Sequence, residues 1–146
     1  WDAVAYRWDG AGPPVLLGVT LDAPEELCAV TQSDGAIIAG FGHALSRIDR
    51  EGTVTPVLPL TNVVRLARGP DDVLIIGEGD NPDSDALKIW WPATGGLTHV
   101  TRGLLGLAEA PMFAYYDPRA EMLVVAQPGS WHAVPWHEIA ALRRVR

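Results

Sequence analysis

Residues 63–101 read VVRLARGPDDVLIIGEGDNPDSDALKIWWPATGGLTHVT, and the punctuation of this stretch decides the fold. It opens on Val63–Val64–Arg65–Leu66, breaks at Gly69–Pro70–Asp71–Asp72, and resumes as Val73–Leu74–Ile75–Ile76–Gly77. A third apolar stretch, Ala86–Leu87–Lys88–Ile89–Trp90–Trp91, leads to a Gly95–Gly96 turn and then to Leu97–Thr98–His99–Val100–Thr101. Glycine tolerates positive φ, proline presets φ, and aspartate bonds its own backbone, so such clusters turn the chain. The β-branched and aromatic runs between them are too short for stable helices and read as strands.

The same order recurs on both sides. Upstream, Leu27–Cys28–Ala29–Val30 is followed by the turn Ser33–Asp34–Gly35 and by Ala36–Ile37–Ile38–Ala39–Gly40. Ala44–Leu45–Ser46–Arg47–Ile48–Asp49, Gly52 and Thr53–Val54–Thr55–Pro56–Val57–Leu58 complete that unit. Downstream, Met112–Phe113–Ala114–Tyr115–Tyr116 precedes Asp117–Pro118–Arg119, then Leu123–Val124–Val125–Ala126 and Trp131–His132–Ala133–Val134. At the N-terminus, Tyr6–Arg7–Trp8–Asp9 and Gly12 align with Ser46–Arg47–Ile48–Asp49 and Gly52, supplying the last two strands of a further unit. A period of tens of residues with one supersecondary unit per period marks a repeat architecture. The expected core comprises Ile37, Ile38, Leu74, Ile75, Ile76, Leu123, Val124 and Val125.

This order of turn, apolar strand, glycine, third strand and glycine turn resembles the blades of β-propellers, of the degenerate kind seen in WD-repeat, NHL-repeat and gluconolactonase-like proteins. Trp8–Asp9 is a Trp-Asp dipeptide in one unit only, and no Gly-His partner accompanies it. The resemblance implies an all-β fold: a partial ring of four-stranded antiparallel blades, with a half blade over 1–26 and blades over 27–62, 63–104 and 105–146. Propeller rings hold about 4–8 blades. About three and a half fall short of that range, so a protein partner, the remainder of a larger propeller or an oligomer is expected to complete the ring. The alternative is a smaller open assembly of sheets. Two segments stay open within the pattern. Asp22–Leu27 has the start signals of a helical turn, and Pro135–Leu142 suits a short helix as well as a fourth strand.

Composition narrows the function. The chain has 146 residues, a formal net charge of −7, and 48% hydrophobic residues, enough for a single domain with a core. The acidic balance argues against binding nucleic acid or anionic membranes, both of which call for a basic face. No apolar run approaches the roughly 18–20 residues of a membrane span. The lone cysteine, Cys28, excludes an internal disulfide and lies in an apolar run as a buried, inert thiol. It fits a cytoplasmic setting, which is slightly favoured. Lys88 is the single lysine against ten arginines, and with abundant Ala, Gly and Pro this suggests a GC-rich bacterial genome. The chain opens on Trp1 without a signal-peptide pattern, so its start is expected to be processed or excised.

Chemistry-bearing motifs are sparse. Gly40–Phe41–Gly42 and Gly77–Glu78–Gly79 lack the third glycine and following helix of a dinucleotide fingerprint and read as blade turns. No nucleophile elbow, zinc-protease motif or phosphate loop is present. His132 and His137 are five apart, which brings them to one ion on neither a strand nor a helix, and His43 and His99 stand alone. The acidic loop Glu78–Asp85 offers Glu78, Asp80, Asp83 and Asp85 as hard oxygen ligands, yet its spacing is not that of a Ca²⁺ loop, and a solvated connection is the plainer reading.

Tyr115, Tyr116, Trp131 and Trp136 are the candidate ligand- or partner-binding residues, although tryptophans at matching blade positions also serve packing between blades. The expectation is a non-catalytic propeller module that scaffolds a protein or ligand, with no cofactor. The alternative is a metal-dependent lactonase-like hydrolase using loop 78–85.

Overall fold

The computed structural model describes residues 2–7, 11–22, 27–41, 44–60, 63–78 and 85–143. The fold is all-β, as the turn-and-run pattern requires. Among the described residues the strands form four antiparallel sheets, two of them four-stranded, one three-stranded and one two-stranded. They are propeller-like in kind, and among the described residues no sheet is closed. The chain divides into two compact units, Trp1–Val64 and Arg65–Arg146.

In the first unit, β1 (Asp2–Arg7) pairs with β2 (Val15–Asp22), with a register irregularity between Val4 and Tyr6. This hairpin covers the segment expected to supply half a blade. Trp8 and Asp9, and residues 23–26 of the possible helical turn, lie outside the described residues; β2 runs to Asp22 and the next strand starts at Leu27. The second sheet is a meander of β3 (Leu27–Thr31), β4 (Ile37–Phe41), β5 (Ala44–Ile48) and β6 (Val54–Pro59). Ile38, Leu45, Ile48 and Val63 are fully buried. A side chain at Gly40 would meet Val63 Cγ1 and Cys28 Sγ, so this glycine is set by close packing and not by a ligand.

Two aspartates tie the turns of this meander. The Asp34 carboxylate accepts the Ala36 N–H at 2.9 Å and ion-pairs with Arg47, whose Nε donates to the Gln32 side chain at 3.3 Å. The Asp49 carboxylate accepts N–H groups from Thr53 at 2.7 Å and Glu51 at 3.0 Å, around Gly52 at φ 91°. The Thr53 N–H foremost, with those of Glu51 and Gly52, holds the Asp49 carboxyl below its ordinary 3.8. The unfolded chain therefore binds this proton more readily than the folded one. The stability contributed by the carboxylate is complete above 3.8 and is lost as pH falls through the lower, folded value. Asp49→Ala is expected to lower the urea midpoint at about pH 7, and its difference from the parent should close in acid. A difference undiminished at about pH 2 would show that the charge does not hold the turn.

The second unit is built on β7 (Val63–Arg68), which begins just before the unit boundary. After a 3-10 turn at Pro70–Asp72 come β8 (Leu74–Glu78), β9 (Asp85–Trp91) and β10 (Gly96–Thr101). Ile75 stands opposite Ile89, and Leu74 opposite Trp90. Thr101 caps a single helical turn, α1 (Arg102–Leu105), by accepting the Leu104 N–H at 3.3 Å. The third sheet holds β11 (Phe113–Asp117), β12 (Met122–Gln127) and β13 (Ser130–Pro135).

The fourth place of that last unit, which the sequence left open, is a helix, α2 (Trp136–Leu142). Pro135 stands at its cap, where a missing N–H costs nothing, and the residues that follow are mostly good helix formers. Ile139 anchors α2 in a core shared with Val73, Ile75, Leu87, Ile89, Val100, Leu123 and Val125. Of the expected core, all but the half-buried Ile37 are buried.

Candidate functional site

The three-stranded sheet has two different faces, and its register assigns them. Successive strand residues alternate sides. Tyr116 sits opposite Leu123, and Leu123 opposite Val134, so this row turns inward to the core of the second unit. Tyr115 sits opposite Val124 and Val124 opposite Ala133, while Phe113, Ala126 and Trp131 form the neighbouring row on the outer side. The four aromatic candidates therefore separate into pairs. Tyr116 and Trp136 meet edge to face in the core, with ring centroids 5.3 Å apart, and Trp136 also packs on Trp91 at 6.0 Å. Both are partly buried and pack against the core of the second unit. Tyr115 and Trp131 remain at the surface, 46% and 70% exposed.

Phe113, 52% exposed, joins them, although the sequence reading did not single it out. Its signal was the period of two: on a strand, Phe113 shares a face with Tyr115, whereas Tyr116 does not. These side chains, with Val124, Ala126, Gly129 and Ser130, line a shallow cleft of about 320 Å³. None of the described residues that line it is charged.

Its rim is held in shape by Gln127. The Gln127 carboxamide oxygen accepts the Ala108 and Glu109 N–H groups, each at 3.0 Å, and its amide donates to Ser130 Oγ at 2.8 Å. This fixes the β12–β13 turn to the loop before β11. His132 Nε2 approaches Ser130 Oγ only at 3.5 Å, the limit of a hydrogen bond, and no carboxylate orients the ring among the described contacts. That is not the geometry of an activated serine. His137 is exposed on α2 and His99 on β10, while His43 lies outside the described residues.

Of the acidic candidates, Glu78 ends β8 and ion-pairs with Lys88 of β9. Its side chain is 4% exposed and that of Lys88 13%. Asp85 opens β9, and Asp80 and Asp83 lie outside the described residues. Among the described residues no group of three or more His, Cys, Asp or Glu side chains is gathered as for a metal ion, and no helix is long and apolar enough to cross a membrane. No protein-family model matches the chain, and no curated protein is significantly similar to it.

Proposed function

We propose that this chain is a non-catalytic module of propeller-like blades, and that the outer face of the β11–β13 sheet docks a protein partner. The observation that carries the reading is the juxtaposition of Phe113, Tyr115 and Trp131 around one uncharged cleft. Exposed aromatic side chains cost hydration, and contiguous apolar patches of this kind mark interaction surfaces. Tyrosine and tryptophan are also the residues that most often dominate binding energy at interface centres. The apolar lining favours a protein surface over a sugar: a sugar needs many hydrogen bonds, and the polar side-chain groups among the described lining residues are few, the hydroxyls of Tyr115 and Ser130 and the indole N–H of Trp131, with Ser130 Oγ already accepting from Gln127.

Trp131→Ala is expected to weaken the complex about 30-fold, the order of a hot-spot truncation of roughly 2 kcal/mol. Leu104→Ala, at another exposed apolar position, should leave it unchanged. Acrylamide quenching provides the structural readout, since Trp131 should be accessible in the free chain and shielded in the complex. Parent-like affinity of the Trp131→Ala and Tyr115→Ala variants for the partner, or undiminished quenching of Trp131 in the complex, would reject the site.

A further inference from the structure

A second cavity, of about 510 Å³, opens elsewhere in the second unit, between the turn end of the β9–β10 hairpin and the C-terminal end of α2. Its volume is within the roughly 300–1,000 Å³ of small-molecule sites. Three backbone and side-chain features build it. The Trp91 carbonyl accepts the N–H groups of Thr94 and Gly95, at 3.1 and 2.8 Å, and so closes the hairpin turn. Trp91 Nε1 donates to Thr98 Oγ at 2.9 Å, which pins the indole to β10. Arg143, the residue that ends α2, lies over the same indole with Cζ 5.4 Å from the ring centroid.

The chemistry of the lining is one-sided. In a chain with 18 acidic and 11 basic side chains, the described residues that line this cavity include one arginine, one histidine and no carboxylate. Among the described residues Arg143 makes no ion pair; its guanidinium rests on the indole face, an arrangement that leaves the N–H edge for a ligand. Thr94 and Thr98 each use their hydroxyl oxygen to accept an N–H, from Gly96 and Trp91, so each O–H proton can be donated outward. Leu97 and Leu142 supply apolar wall.

We propose that this cavity binds a small organic carboxylate, with the carboxylate on the Arg143 fork and the threonine hydroxyls, and its apolar body against Leu97 and Leu142. An arginine fork matches the two oxygens of a carboxylate, and the apolar walls prefer an organic acid to inorganic phosphate. This site is independent of the aromatic face.

The test is an amide ¹H–¹⁵N titration of the full chain with benzoate, hexanoate, benzamide and inorganic phosphate. Benzoate and hexanoate should shift Gly95, Gly96, Thr98, His99 and Leu142 in a saturable way, whereas neutral benzamide and phosphate should bind at least tenfold more weakly. Arg143→Ala, at an exposed position, should weaken benzoate binding about tenfold or more, and Arg143→Lys should restore only part of it. Absence of saturable shifts at those amides, equal binding of benzamide, or full affinity in Arg143→Ala would overturn the proposal.

Discussion

Ile75→Ala is expected to destabilise the chain by about 2–5 kcal/mol, the range for truncating a fully buried aliphatic side chain. Ile75 is 2% exposed and is the second residue of β8, opposite Ile89. The buried cluster it belongs to also draws on the β11–β13 sheet and on both helices: Leu123 and Val125 of β12, Leu105 of α1 and Ile139 of α2. The site lies in a cluster of buried side chains, and a close-packed interior relaxes only partly around a truncation, so the cost includes a cavity term. Val54→Ala, at an exposed position of β6, serves as the control and should lie within about 0.5 kcal/mol of the parent. Urea unfolding followed by far-UV circular dichroism measures both. A loss below about 1 kcal/mol for Ile75→Ala would mean that β8 is not central to the second unit.

Lys88→Met is expected to cost about 3–5 kcal/mol, because it takes the ammonium away from a largely buried carboxylate, Glu78. The pair sits where β8 and β9 diverge, with both side chains largely removed from water. Each charge has lost hydration, and the attraction between them offsets that loss only while both are present. Lys88→Met with Glu78→Leu should recover most of the lost stability, since two apolar side chains of similar size carry no such penalty. If the single variant lost less than about 1 kcal/mol, the pair would have to be hydrated in solution. The pair also bears on the acidic loop as a cation site: any metal sharing Glu78 would have to displace an ammonium already bound to it.

The strands were legible because each is a run of β-branched residues flanked by residues that must turn. Val73–Gly77, expected as a strand, is Leu74–Glu78 in the structure, and Ala44–Asp49 is Ala44–Ile48. Segment 135–142 was not decidable from its residues alone. Trp136–Leu142 alternates poorly but also spans barely two helical turns, and only the burial of Ile139 against the second unit's core selects the helix. The aromatic site was half legible. Tyr115 and Tyr116 are adjacent in sequence, and adjacency on a strand means opposite faces; the true neighbours of Tyr115 are Phe113 and, across two strands, Trp131. The ion pair was hidden for a related reason. Lys88 stands opposite Ile76, and Glu78 lies two residues beyond Ile76 on the same side, a diagonal contact that exists only once the register is known.

In all four sheets every hydrogen-bonded neighbour is also the next strand along the chain. No strand has to wait for a distant one, so little loop-closure entropy opposes each pairing. For an all-β protein this is an unusually local topology, and it should place folding at the fast end of the range for sheet proteins, where distant pairings are what slow the search. It also suits vectorial synthesis. The Leu27–Pro59 meander contains all its own pairing partners, and it can form on the ribosome while the second unit is still being made.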